Sequence, residues 1–227
     1  MAICIYHGDD NFQSRRELTN ALKKYPQVKH FEGKDISSEG IIQASGGLFS
    51  QGNIAIVLEK LFSLSKKQFE EVNKYVEKLS SDYDFYVWEG KRLYPRQIKK
   101  IANKPKVNEY KLPNTIFKLL DSIGKSNHNQ LLTFLQGSFE THPSEVIFYL
   151  VQKRLRKMIL AKENSEHLTG AGWQKRNLFN QVKGISTDLI ADWYRKTVMI
   201  EYKNKTGQLG RDLDKELVNL MVLFSRN

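Results

Sequence analysis

The chain has 227 residues, 40% hydrophobic and 27% charged, enough apolar surface for one sizeable core or two small ones, which excludes an intrinsically disordered protein. Lys and Arg number 36 against 25 Asp and Glu, so the formal net charge is +11, divided almost evenly between the two halves, and polyanionic partners are favoured. The single cysteine, Cys4, excludes an internal disulfide and any cysteine-cluster metal site, and fits a reducing compartment. Met1-Ala-Ile-Cys-Ile-Tyr-His7 has no basic flank, and its apolar run stops at His7, too short for a secretory core. No apolar segment has the length of a membrane span, so a cytoplasmic protein without membrane association is expected.

In the first half, short apolar runs alternate with amphipathic stretches, the pattern of βα units around a parallel sheet. Strands are expected at residues 2–6, 28–32, 54–58, 85–88 and 107–110. Between them Leu18, Ala21, Leu22 and Tyr25 recur at helical spacing, and Phe69, Val72, Val76 and Leu79 line one face of a longer segment after Ser65. After Pro113 the pattern turns wholly helical. Successive stripes are Ile116, Leu119, Leu120 and Ile123, ended by Gly124; Leu131, Leu132, Leu135 and Phe139, ended near Pro143; and Ile147, Leu150, Val151, Leu155 and Met158. Shorter stripes cover 178–182 and 189–193, and Leu213, Leu217, Leu220, Met221 and Phe224 close the chain. The expected organisation is an α/β domain over 1–112 and a helical bundle over 113–227.

The turn after the first strand, Gly8-Asp9-Asp10, is where a nucleotide-binding α/β protein places its phosphate loop, but the following residues do not form G-x-x-x-x-G-K-[ST]. Two carboxylates at a helix N-terminus repel a phosphate. Glu59 follows the third strand, where a metal-binding acid of an ATPase could sit; without the loop it reads as a surface charge. Ser63-Leu64-Ser65-Lys66, Ser81-Asp82-Tyr83 and Lys205-Thr206-Gly207 mimic the motif order of serine β-lactamases, but the last ends a helical stretch instead of lining a strand. The histidines, His7, His30, His128, His142 and His167, lack metal-ligand spacing and read as surface or loop residues. No catalytic residue, cofactor or metal is expected.

Residues 174–182, a turn at Gly184 and residues 187–196 have the outline of a helix-turn-helix, with Lys175, Arg176, Arg195 and Lys196 as phosphate contacts, but no base-edge side chains are identifiable and a hairpin of the bundle is the favoured reading. Lys153, Arg154, Arg156 and Lys157 form the densest basic run, a nucleic-acid contact or a solvated helix face, and the basis of an alternative function as a nucleic-acid-binding protein acting through the helical half. Ser45-Gly46-Gly47-Leu48-Phe49-Ser50-Gln51-Gly52 sets two large apolar side chains among glycines and polar residues. Leu48 and Phe49 either cap the sheet edge or serve as a plug for a partner's pocket, where each would gain about 1.5–3 kcal/mol on burial.

Four segments, taken in order, resemble the delta subunit of the bacterial DNA polymerase III clamp loader. They are Ile5-Tyr6-His7-Gly8-Asp9-Asp10-Asn11-Phe12, then Gly47-Leu48-Phe49-Ser50 with Ile54-Ala55-Ile56-Val57-Leu58, then 116–124, and finally Glu201 to Gly207 with its Lys-Thr-Gly ending. The resemblance implies an N-terminal parallel-sheet domain like a nucleotide-free P-loop/AAA+ module, a C-terminal helical collar-like bundle for oligomerisation, and no ATPase activity. It also implies a role in opening the DNA sliding clamp during replication, with Leu48 and Phe49, flanked by Gly47 and Ser50, as the clamp-binding wedge. The implied partners are the sliding clamp, the ATPase and delta-prime-like subunits of the loader, and primed DNA reached through that complex. Two departures from the family are visible. The helical lid domain is missing, because Val107 to Leu112 runs almost directly into the collar-like helix, and Glu201 stands where an Asp is usual.

Overall fold

The computed structural model describes residues 3–45 and 54–225. The chain divides into two compact units, Met1–Leu112 and Pro113–Asn227.

The first unit is a five-stranded, all-parallel sheet: β1 (Ile3–Gly8), β2 (Gln27–Glu32), β3 (Ile54–Glu59), β4 (Asp84–Glu89) and β5 (Lys106–Tyr110), in spatial order β2-β3-β4-β1-β5. All five expected strands are present, each within two residues of its predicted ends. The central strands β1, β3 and β4 are legible as apolar runs because both faces of a covered parallel sheet are buried. The helices are α1 (Asn11–Leu22), α2 (Ser38–Ser45), α3 (Lys66–Leu79) and α4 (Pro95–Ile98).

Two apolar layers form on opposite faces of the sheet. On one, Ile5, Ile56, Leu58, Phe85 and Val87 pack with Ile41 of α2 and with Phe69, Val72 and Val76 of α3. On the other, Tyr6, Ala55, Val57, Tyr86 and Trp88 pack with Leu18 of α1 and with Tyr25. Tyr25, the last member of the predicted stripe, lies past the end of α1, where its hydroxyl donates to Asp84 Oδ2 at 2.5 Å and lies 3.1 Å from the Tyr86 hydroxyl. α2 and α4 were not expected; at eight and four residues each is too short for a periodic signal.

The second unit holds α5 (Asn114–Ser122), α6 (His128–Phe139), α7 (Ser144–Glu163), α8 (Gly172–Val182), α9 (Thr187–Lys205) and α10 (Leu213–Leu223). Among the described residues no element lies between β5 and α5. The core gathers Leu119, Leu135, Ile147, Val151, Leu155, Met158, Ile190, Trp193, Leu217 and Phe224. α7 is the central strut, with α5, α6, α8, α9 and α10 all packing on it. Two positions depart from the predicted stripes: Leu189 is exposed and its neighbour Ile190 takes the core site, and Phe148, absent from the stripe, is buried. Gly124 closes α5 at φ +73°, with its N–H donating to Phe224 O at 2.8 Å.

Candidate functional site

The carboxyl ends of β1, β3 and β4 are where an α/β sheet of this kind presents a ligand site. After β1 the chain turns at Gly8 (φ +139°), where a Cβ would meet Tyr110 O at 1.9 Å; only glycine fits this close crossing of β1 and β5. Asp10 N–H donates to Tyr110 O (3.2 Å), and the Asp10 carboxylate, itself buried, caps α1 by accepting from Gln13 N–H (2.9 Å). Amides that a phosphate would need are therefore already occupied by the protein's own oxygens.

Glu59, at the end of β3, is buried, which corrects its reading as a surface charge. Arg15 of α1 reaches it with a bidentate ion pair, Nη2 to Oε2 at 2.5 Å, while its guanidinium lies 3.7 Å from the centre of the Trp88 ring. The hydrogen bonds from Arg15 outweigh burial and hold the carboxyl of Glu59 below its ordinary range; His30 Nδ1 approaches Glu59 Oε1 at 3.7 Å. The acid is committed to a salt bridge of the fold. Trp88 Nε1–H donates to Ser14 Oγ (3.2 Å), tying α1 to β4 a second time.

His7 and Glu89 face each other in the β1–β4 register, and both are buried. His7 Nδ1 accepts from Leu93 N–H (3.1 Å), which leaves the proton of the neutral ring on Nε2, and burial pushes its pKa down. His7, inside β1, thus departs from its reading as a surface or loop residue, whereas His142, in the connection between α6 and α7, is a loop residue that is buried. Burial also pushes the Glu89 carboxyl up, against the backbone donor Phe62 N–H at 2.9 Å and the charges of Lys91 and Lys60. Among the described residues no group of three or more His, Cys, Asp or Glu side chains could hold a metal ion.

The β-lactamase-like motifs dissolve into capping. Ser65 is the N-cap of α3, its Oγ accepting from Gln68 N–H, and Ser63 Oγ donates to Lys60 O at 2.6 Å. Lys205-Thr206-Gly207 ends α9, with Gly207 at φ +68°.

Gly47, Leu48, Phe49 and Ser50 lie outside the described residues. The flanks of that segment are the end of α2, where Ser45 O accepts from the Tyr83 hydroxyl at 2.6 Å, and the start of β3 at Ile54, in register with Gln27.

The basic run of α7 separates into two groups. Arg154 turns inward: its guanidinium pairs with Asp121 (2.6 Å) and donates through Nε to Gln181 Oε1 (2.7 Å). Gln181 in turn donates to Leu120 O (2.8 Å) and Ile123 O (2.9 Å), satisfying carbonyls at the end of α5. Lys153, Arg156 and Lys157 instead line a groove together with Tyr149, His167 and Tyr194. Gln181 and the Arg15–Glu59 pair escaped the sequence reading, because nothing local marks a contact between residues so far apart in the chain. In the helix-turn-helix-like segment, α8 and α9 each pack on α7, and Lys196 pairs with Asp192 at 2.9 Å.

No protein-family model and no curated protein sequence matches the chain. Among solved structures it is similar to the DNA clamp loader delta protein of Bacillus subtilis, at TM-score 0.47 and 11% identity over 98% of this chain and 94% of that one. It is also similar to a DNA polymerase III gamma subunit-related protein from Thermotoga maritima, at TM-score 0.34 and 12% identity over 99% and 95% of the two chains. The element order and strand pairing themselves define a five-stranded parallel sheet with helices followed by an all-helical region.

Proposed function

We propose that the chain is a non-catalytic clamp-loader subunit of the delta type, which engages a DNA sliding clamp through Leu48 and Phe49 and joins the other loader subunits through its helical unit. The observation that carries this reading is the order of the four delta-like segments. They coincide with the β1–α1 junction, the segment leading into β3, the helix α5 with its closing Gly124, and the end of α9.

Two features support it. The amides and the acid that an ATPase would direct at nucleotide are engaged by Tyr110, Asp10 and Arg15, which suits a subunit whose partners hydrolyse ATP. In the helical unit, Val198, Met199 and Tyr202 on α9 and Val218 and Val222 on α10 are exposed, apolar surface of the kind that assembly would cover.

The test is binding of the full chain to the purified sliding clamp of the same organism. Leu48→Ala and Phe49→Ala are each expected to weaken it by about 2 kcal/mol, roughly thirtyfold, as an interface hot spot would. Unchanged affinity in the double variant overturns the mechanism.

A further inference from the structure

Along α7, Tyr149, Lys153, Arg156 and Lys157 follow at helical spacing on the side opposite the buried Ile147, Val151, Leu155 and Met158. They form one wall of a groove, and His167 and Tyr194 lie on its other side. Nothing in the fold neutralises the cations: among the described residues Lys153, Arg156 and Lys157 make no ion pair, in contrast to Arg154 on the neighbouring side of the helix. Lys157 is half-buried, and its burial together with the charges of Lys153 and Arg154 pushes its pKa down, the signature of positive charge crowded without a counterion. Tyr149 is 57% exposed, and its ring lies 5.7 Å from the ammonium of Lys153.

Three unpaired cations over about 6 Å of helix would attract any polyanion. The open aromatic ring among them narrows the choice. A duplex keeps its bases stacked on one another and an acidic peptide has none to offer, whereas a single strand presents both spaced phosphates and a free base face. We propose that this groove binds single-stranded nucleic acid, its backbone phosphates against Lys153, Arg156 and Lys157 and a base stacked on Tyr149.

Fluorescence anisotropy of the full chain with labelled oligo-dT of about 20 nucleotides, and with a duplex of equal length, tests this at low salt without any clamp, so its outcome is independent of the clamp-binding proposal. The single strand is expected to bind more tightly, with a log–log salt slope of about −2 for three contacts. Reversing Lys153 and Arg156 to Glu, both exposed, is expected to lower affinity at least about tenfold, while the same charge change at the exposed Lys66 and Lys67 costs less than about twofold. Tyr149→Ala should weaken single-strand binding about fivefold or more and change duplex binding by less than about twofold. The proposal is overturned by absence of binding, by equal losses in the Lys66/Lys67 control, or by an indifferent Tyr149→Ala with polyglutamate competing as well as oligo-dT.

Discussion

Arg15 holds both carboxylate oxygens of Glu59 while its guanidinium plane rests over the ring of Trp88, so that α1, β3 and β4 are joined through one side chain. Removing one partner of a buried ion pair usually costs about 3–5 kcal/mol, and the partial exposure of Arg15 reduces this. Arg15→Ala is expected to destabilise the protein by about 2 kcal/mol in urea denaturation; a loss below about 0.5 kcal/mol would mean that the pair is energetically idle.

Glu59 and Glu89 predict opposite pH behaviour. The folded-state pKa of Glu59 is depressed, so its contribution is present above the ordinary carboxylate range and is lost as pH falls through the folded value. That of Glu89 is raised: as pH climbs through the ordinary range the unfolded chain releases its proton first, and stability declines. Glu59→Gln should therefore be less stable than the parent at pH 7 and Glu89→Gln more stable, with both differences shrinking in acid. Denaturation curves at neutral and acidic pH check the two signs together.

Gly8→Ala places a methyl group 1.9 Å from Tyr110 O in a backbone conformation that L-residues avoid. The expected result is a loss of about 3 kcal/mol or more, with β5 separating from β1. Faster hydrogen exchange at the Asp10 amide, which donates to Tyr110 O, would report it; an unaltered exchange rate would contradict the close approach of Gly8 to Tyr110.

Gln181 bridges Arg154 to two carbonyls of the α5 terminus. Gln181→Leu keeps the volume but strands both carbonyls and leaves the guanidinium with Asp121 alone, a cost of about 2–4 kcal/mol. Thermal and urea denaturation measure it, and near-neutral stability would show that the network is dispensable.

The strands of the sheet and most of the bundle were legible because their signal is local. Ile54 to Leu58 is an unbroken apolar run, and Phe69, Val72 and Val76 repeat at the helical period behind a Ser65 cap. The fates of Glu59, Glu89, His7 and Arg154 were not legible. Glu59 meets Arg15 from 44 residues away and Gln181 meets Leu120 from 61, distances over which no motif extends. Of the proposed sites, the Leu48–Phe49 segment rests on sequence, whereas the separation of Arg154 from Lys153, Arg156 and Lys157 emerged only when α7 was seen against α5 and α8.

Sequence by itself determined the sheet-then-bundle architecture and the lack of a phosphate-loop motif, since apolar periodicity and the identities after Gly8 are properties of adjacent residues. Only tertiary structure decided which charges are spent inside the fold and which remain free on its surface. The physical reason is that a carboxylate or guanidinium is assigned its role by the partner brought to it in space and by the water removed around it, and neither is written in the residues beside it.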